Sequence, residues 1–160
     1  MFGALGRRAG MAILPLAVCL ALTFGLVGAT PAGAVTLRHR MLRLINDARR
    51  YEGLRPLRLN TALSNDATAH TRAMVHRNAV YHDWSVPSLL APYNWRIWGE
   101  NVGCADSAWA LHRAFMRSPT HRANLLRPAF RQVGLGVIRT RDGNACGGGY
   151  NVWATEIFFG

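Results

Sequence analysis

The sequence predicts an α+β domain, a three-layer α/β/α sandwich with a small antiparallel sheet. Three observations carry that expectation. Apolar residues recur at helical spacing through two segments following residue 36. Two later runs, Val133 to Ile138 and Tyr150 to Phe159, have the composition and alternation of strands. A capped helix falls between an earlier strand and those two, the order expected of helix, sheet and helix layers.

Leu37, Met41, Leu44, Ile45 and Ala48 form one apolar stripe, so a first helix is expected from Leu37 to Tyr51 with Gly53 as its stop. After a connector containing Pro56, Asn60 or Thr61 is placed to cap a second helix whose inner face reads Leu63, Ala67, His70 and Met74. His70 is there a buried-face histidine rather than a ligand. From Asn78 to Ile97 the periodicity fails, and Pro87, Pro92 and several aromatic residues mark an irregular stretch that wraps the surface. A short strand around Trp98 to Val102 is followed by a capped helix from about Ser107 to Arg117, which Pro119 ends. Thr120 starts a further helical turn. Val133 to Ile138 reads as a half-buried strand, and Asp142-Gly143-Asn144 with the glycines at 147 to 149 joins it to the last strand as an antiparallel hairpin. Trp153 and Phe158 are packing residues of that last strand, and Glu156 is its less certain member.

The N-terminus carries a different signal. Arg7 and Arg8 precede an uncharged apolar run from Met11 to Val27, and Ala32-Gly33-Ala34 supplies small residues for cleavage. Residues 1–34 therefore read as a secretory signal peptide, with an uncleaved membrane anchor as the competing reading. Residues 35–160 make one domain, expected to be secreted or extracellular, with the cell envelope as the other location and no span across the membrane in its mature form. Of three cysteines, Cys104 and Cys146 remain after cleavage, and outside the cytoplasm an even pair is most simply a disulfide.

All nineteen basic residues are arginine, as a GC-rich coding genome would give, and loss of Arg7 and Arg8 takes the formal charge from +11 to +9. The arginines are scattered rather than gathered in a stripe, which argues against a nucleic-acid partner. An anionic envelope surface is the more natural partner for an exported basic protein, and mere solubility is the plain alternative.

Four pieces then occur in order: Tyr81-His82-Asp83, Gly99-Glu100-Asn101, the run Ser118-Pro119-Thr120-His121-Arg122-Ala123-Asn124-Leu125-Leu126, and Gly134-Leu135-Gly136-Val137 with Trp153 to Phe159. With Leu44 to Arg49 and Gly53 to Leu57 upstream, the chain resembles the CAP superfamily, the SCP-like domains of cysteine-rich secretory proteins, antigen 5 and pathogenesis-related 1, in its bacterial secreted form. The resemblance covers nearly the whole mature chain. It implies a solvent-open cleft into which His82, His121 and Glu100 project, with Asn101 supporting it. The family pattern often places a second acid in the helix before the second histidine, where this chain has Ala110. That departure removes one carboxylate and weakens any mechanism needing paired acids.

Two imidazoles and a carboxylate that converge make a partial shell for zinc or another divalent cation, so His82 and His121 are the candidate metal ligands. They lie 39 residues apart, and no local motif ties them together. Each has a plain alternative: His121 as a helix-start residue bonding backbone, Glu100 as a cap or the partner of an arginine, and His82 as a surface loop residue.

Three function classes follow. The first is a binding module that holds a lipid, a sterol-like molecule or a peptide through the His/Glu-lined cleft, with a divalent ion there as an optional component. The second is a metal-assisted extracellular hydrolase with Glu100 as general base; Ser118 is near the histidines in sequence only, and Cys104 is taken by the disulfide. The third is a basic envelope interaction protein with an idle cleft, whose binding salt would weaken.

Overall fold

The computed structural model describes residues 32–141, 146–147 and 149–160. Residues 1–31 of the signal segment and the Asp142-Gly143-Asn144 connection lie outside the described residues. Among the described residues nine elements follow one another: α1 (Ala32–Tyr51), β1 (Arg58–Leu59), α2 (Thr61–Arg77), α3 (Val86–Leu90), β2 (Trp98–Ala105), α4 (Ala108–Arg117), α5 (Pro119–Leu125), β3 (Gln132–Thr140) and β4 (Asn151–Phe159).

The helix ends follow from local chemistry. Asn60 accepts a hydrogen bond from the Leu63 N–H, capping α2, and Asn78 closes that helix in the left-handed region at φ 47°. Ser107 accepts from the Ala110 N–H at the start of α4. Pro119 stands in the first turn of α5, where its missing N–H costs nothing. One short helix was not expected. Val86–Leu90 folds inside the stretch where periodicity fails, because five residues are too few to show a period, and its Val86 and Leu90 are fully buried.

The sheet order is β1-β3-β4-β2. β3 and β4 pair antiparallel, as do β2 and β4, whereas two-residue β1 pairs parallel to β3. The sheet is thus mixed rather than purely antiparallel; β1 follows a helix and connector on the chain and enters the edge in the same direction as β3. β4 is central and buried at all nine positions, so neither side of that strand faces outward. Val133 to Val137 of β3 is likewise buried throughout instead of half-buried. A strand covered by helices on both faces loses the alternation that would mark its sides.

α2 and α3 cover one face, where Leu63 and Ala67 pack with Val86, Leu90, Ile157 and Phe159. α1, α4 and α5 cover the other, around Met41, Ile45, Leu111, Phe115, Leu125, Leu135 and Phe158. Gly136 lets α2 close onto β3: a Cβ there would stand 2.2 Å from the Ala67 carbonyl oxygen. Trp153 and Phe158 pack in separate clusters, Trp153 with Met74 of α2 and Val102, and Phe158 against Phe130.

Two side chains of α1 fasten the connectors. Asn46 donates to the Leu57 carbonyl and accepts from the Leu57 N–H, at 3.1 and 2.8 Å. Arg49 is fully buried and spends its guanidinium on the carbonyls of Arg55, Leu125, Arg127 and Phe130. Burial, and then the charge of Arg131, hold its pKa below the usual guanidinium value. A disulfide joins Cys104 at the end of β2 to Cys146, with their Cα atoms 5.8 Å apart.

Candidate functional site

β2 is an edge strand, and successive residues of a strand point to opposite faces. Glu100 turns toward the α2 side and Asn101 toward the α5 side, so the site straddles the sheet edge with Gly99-Glu100-Asn101 as its hinge.

On the α2 side, His82 Nδ1 donates to Glu100 Oε2 at 2.5 Å, and the Asp83 N–H reaches both Glu100 oxygens at 3.4 and 3.2 Å. The His82 side chain is 51% exposed and that of Glu100 only 3%. Burial raises the Glu100 pKa, opposed by the His82 hydrogen bond and the Asp83 amide. Around this pair lies a cleft of about 320 Å³ walled by His82, Asp83, Trp84, Trp98, Gly99 and Glu100. Trp84 stands at its mouth, 89% exposed.

On the α5 side, Asn101 is fully buried and its Nδ2 donates to the His121 carbonyl at 3.2 Å and to Glu156 Oε2 at 3.1 Å. Asn124 Nδ2 donates to Asn101 Oδ1 and to the Glu100 carbonyl, both at 3.0 Å. Gly99 makes room for Asn124, since a Cβ there would come within 2.5 Å of Asn124 Oδ1. His121 rests against Phe115, ring centroids 4.8 Å apart, with Nδ1 2.8 Å from Ser118 Oγ. Burial lowers the His121 pKa, and positive charge on His82 lowers it further.

The sequence-predicted residues are therefore brought together in two halves. His82 and Glu100 form the polar wall of the cleft, and His121 is coupled to His82 through charge without lining that cleft. Asn101 is the buried brace between them. Ser118 corrects the expectation that it neighbours the histidines in sequence only; at the junction of α4 and α5 its hydroxyl makes no cap bond and turns to His121 instead. Glu156, which had no assigned role, is fully buried, and burial pushes its pKa up to about 8 against the Asn101 bond. Its Oε1 has no hydrogen-bond partner among the described residues. The wall residues Trp84 and Trp98 fall in the aromatic-rich stretch from Tyr81 to Trp98, which offers apolar material for a ligand groove or a core alike, and the amide of Asp83 was missed as a site component.

Each histidine spends Nδ1 on a protein partner, which leaves Nε2 as the free donor atom on each ring. Among the described residues, no three or more His, Cys, Asp or Glu side chains gather into a metal-holding group. Because His121 does not line the cleft that holds His82 and Glu100, the two imidazoles and the carboxylate do not come together as the three protein ligands of a catalytic zinc site. Ala110, where a second acid would stand, supplies nothing further.

A three-layer domain with a His-Glu pair at the edge of its sheet defines an SCP-like fold. The chain belongs to the CAP, or cysteine-rich secretory protein, family, whose profile matches residues 42–158. It is 27% identical over 119 residues to the uncharacterized protein YkwD of Bacillus subtilis, covering 69% of this chain and 46% of that relative. The chain thus spans about half the length of the curated relative it matches. Among solved structures, an extracellular protein containing an SCP domain from Bacillus anthracis superposes with a TM-score of 0.63 at 20% identity, over 79% of this chain and 41% of that one. A cysteine-rich secretory protein from Staphylococcus aureus gives 0.62 at 20% identity, over 81% and 40%. An outer surface protein from Borrelia burgdorferi gives 0.60 at 13% identity, over 76% and 90%. Identities this low speak for the shared fold alone. No described helix is long and apolar enough to cross a membrane.

Proposed function

We propose that this chain is an exported CAP-domain binding module whose cleft takes the polar head and adjoining apolar part of an amphiphilic ligand: a lipid, a sterol-like molecule or a peptide. Export is supported by the leader-like N-terminus and by structural neighbours described as extracellular or outer-surface proteins. The observation that carries the binding reading is the His82–Glu100 pair set at 2.5 Å beside Trp84 and Trp98. An apolar wall with few fixed polar groups is how small-molecule sites hold and orient a ligand, and a volume near 320 Å³ is at the lower end for such sites. The ligand's head is bound, and its remainder lies along the surface.

Titration of intrinsic tryptophan fluorescence with sterol, phospholipid and peptide panels tests this, with zinc and chelator arms as controls for a contribution from a divalent ion. Trp84→Ala is expected to weaken binding about tenfold, equivalent to about 1.4 kcal/mol of lost apolar contact. Binding that Trp84→Ala leaves unchanged overturns the assignment of the cleft.

A hydrolase reading is favoured by one specific observation: Glu100 is buried with a raised pKa beside His82, as a general base requires. It expects cleavage of fluorogenic peptides that Glu100→Gln abolishes. The envelope-interaction reading expects instead that reversal of arginine charges abolishes binding and salt weakens it, while mutation of His82 and His121 leaves it intact.

A further inference from the structure

We propose that His70 is the positioning residue of the cleft: one imidazole on α2 holds the backbone immediately before His82 and so sets how His82 meets Glu100. Residues 79–83 lie outside every helix and strand, so no backbone ladder fixes where His82 stands. Side-chain tethers have to do it. His70 Nε2 donates to the carbonyl of Tyr81, the residue before His82, at 2.8 Å. Its Nδ1 faces Asp83 Oδ2, on the residue after His82, at 3.9 Å. The His70 ring also packs edge-on against the Tyr81 ring, with centroids 5.0 Å apart and planes at 86°.

The geometry assigns the tautomer. A carbonyl can only accept, so the proton of His70 sits on Nε2. His70 is buried on a seventeen-residue helix that is packed against the sheet, whereas the other tether on Tyr81, the Arg77 contact to its hydroxyl, is exposed. The buried tether is the stiffer of the two. Asp83 on the other side is bonded to Ser85 through Oδ1 and to Glu100 through its N–H, so the Tyr81 side is the one that His70 fixes.

This inference rests on the His82–Glu100 pair being the working part of the cleft. Its readout is the geometry of that pair rather than ligand binding, so the two proposals fail separately. The test is long-range ¹H–¹⁵N NMR of the imidazoles in the full chain and two variants. His70→Phe keeps an aromatic ring against Tyr81 but has no donor, and His70→Gln restores a donor. The unmodified protein is expected to show His82 as the Nδ1–H form; His70→Phe is expected to lose that signature and His70→Gln to recover it. An unchanged His82 in His70→Phe, or no recovery in His70→Gln, overturns the proposal. Should a variant fail to fold, the unmodified protein decides: a slowly exchanging proton on His70 Nε2 supports the tether, and a freely exchanging one or an Nδ1–H tautomer of His70 rejects it.

Discussion

Asn101 of β2 and Glu156 of β4 stand opposite one another across the ladder, joined side chain to side chain at 3.1 Å inside the core. The amide of Asn101 is shared with the backbone of His121, so one buried contact connects the centre of the sheet to the helix that carries the second histidine.

Glu156 makes stability fall as pH rises. Its pKa is about 8 in the folded chain, against an ordinary carboxylate value of 4.5. Below the ordinary value both states hold the proton, and the group costs nothing. As pH climbs from there toward 8, the unfolded chain releases its proton while the folded chain keeps it, and the folded state loses about 1.4 kcal/mol per pH unit. Glu156→Gln is expected to flatten this slope and to raise the melting temperature most at pH 7 to 8. Calorimetry of both proteins from pH 5 to 8 checks it; parallel curves contradict it.

Asn101→Ala leaves the His121 carbonyl, Glu156 and the Asn124 amide short of a buried partner. A loss of about 2–4 kcal/mol is expected, since stranded buried polar groups each cost about 1–3 kcal/mol. Urea unfolding measures it, and a loss below about 1 kcal/mol would show that the brace is dispensable.

Arg49→Lys tests the arginine of α1. A guanidinium reaches four carbonyls in a fixed fork, and an ammonium on a flexible stem does not. The substitution keeps the charge, so the expected destabilisation, about 3 kcal/mol by analogy with broken buried charge contacts, reports geometry alone. Unfolding midpoints of the two proteins compare directly.

Removing the disulfide as Cys104→Ser/Cys146→Ser is expected to cost about 3–4 kcal/mol, because the bond closes a loop of 42 residues in the unfolded chain. Thermal unfolding in the absence of reductant checks that figure.

Much of this architecture was legible in the sequence because its signals are local. Caps such as Asn60 and Ser107, the stripe on α1 and the β-branched and aromatic run of β4 all placed elements within a few residues. What was not legible depends on partners distant along the chain. The parallel pairing of β1 needs a neighbour more than 70 residues on. The burial of Glu156 follows from β4 being central, which its own sequence does not state. His82, Glu100, His121 and Asn101 were found through motif order, but their division across the sheet edge arises only when β2 takes the outer position. Ser118 was set aside because its distance to His121 in space is fixed by the α4–α5 junction, not by sequence separation.

The central claim is that the His82 cleft binds a ligand. Native mass spectrometry of the mature protein from a secreting host, beside the His82→Ala/His121→Ala variant and after incubation with zinc and envelope lipids, tests it most directly. A bound lipid or peptide mass in the first protein and its absence in the variant is the predicted result. Equal occupancy of the two, or none in either, would contradict a cleft-based function and leave the basic surface as the working part of the molecule.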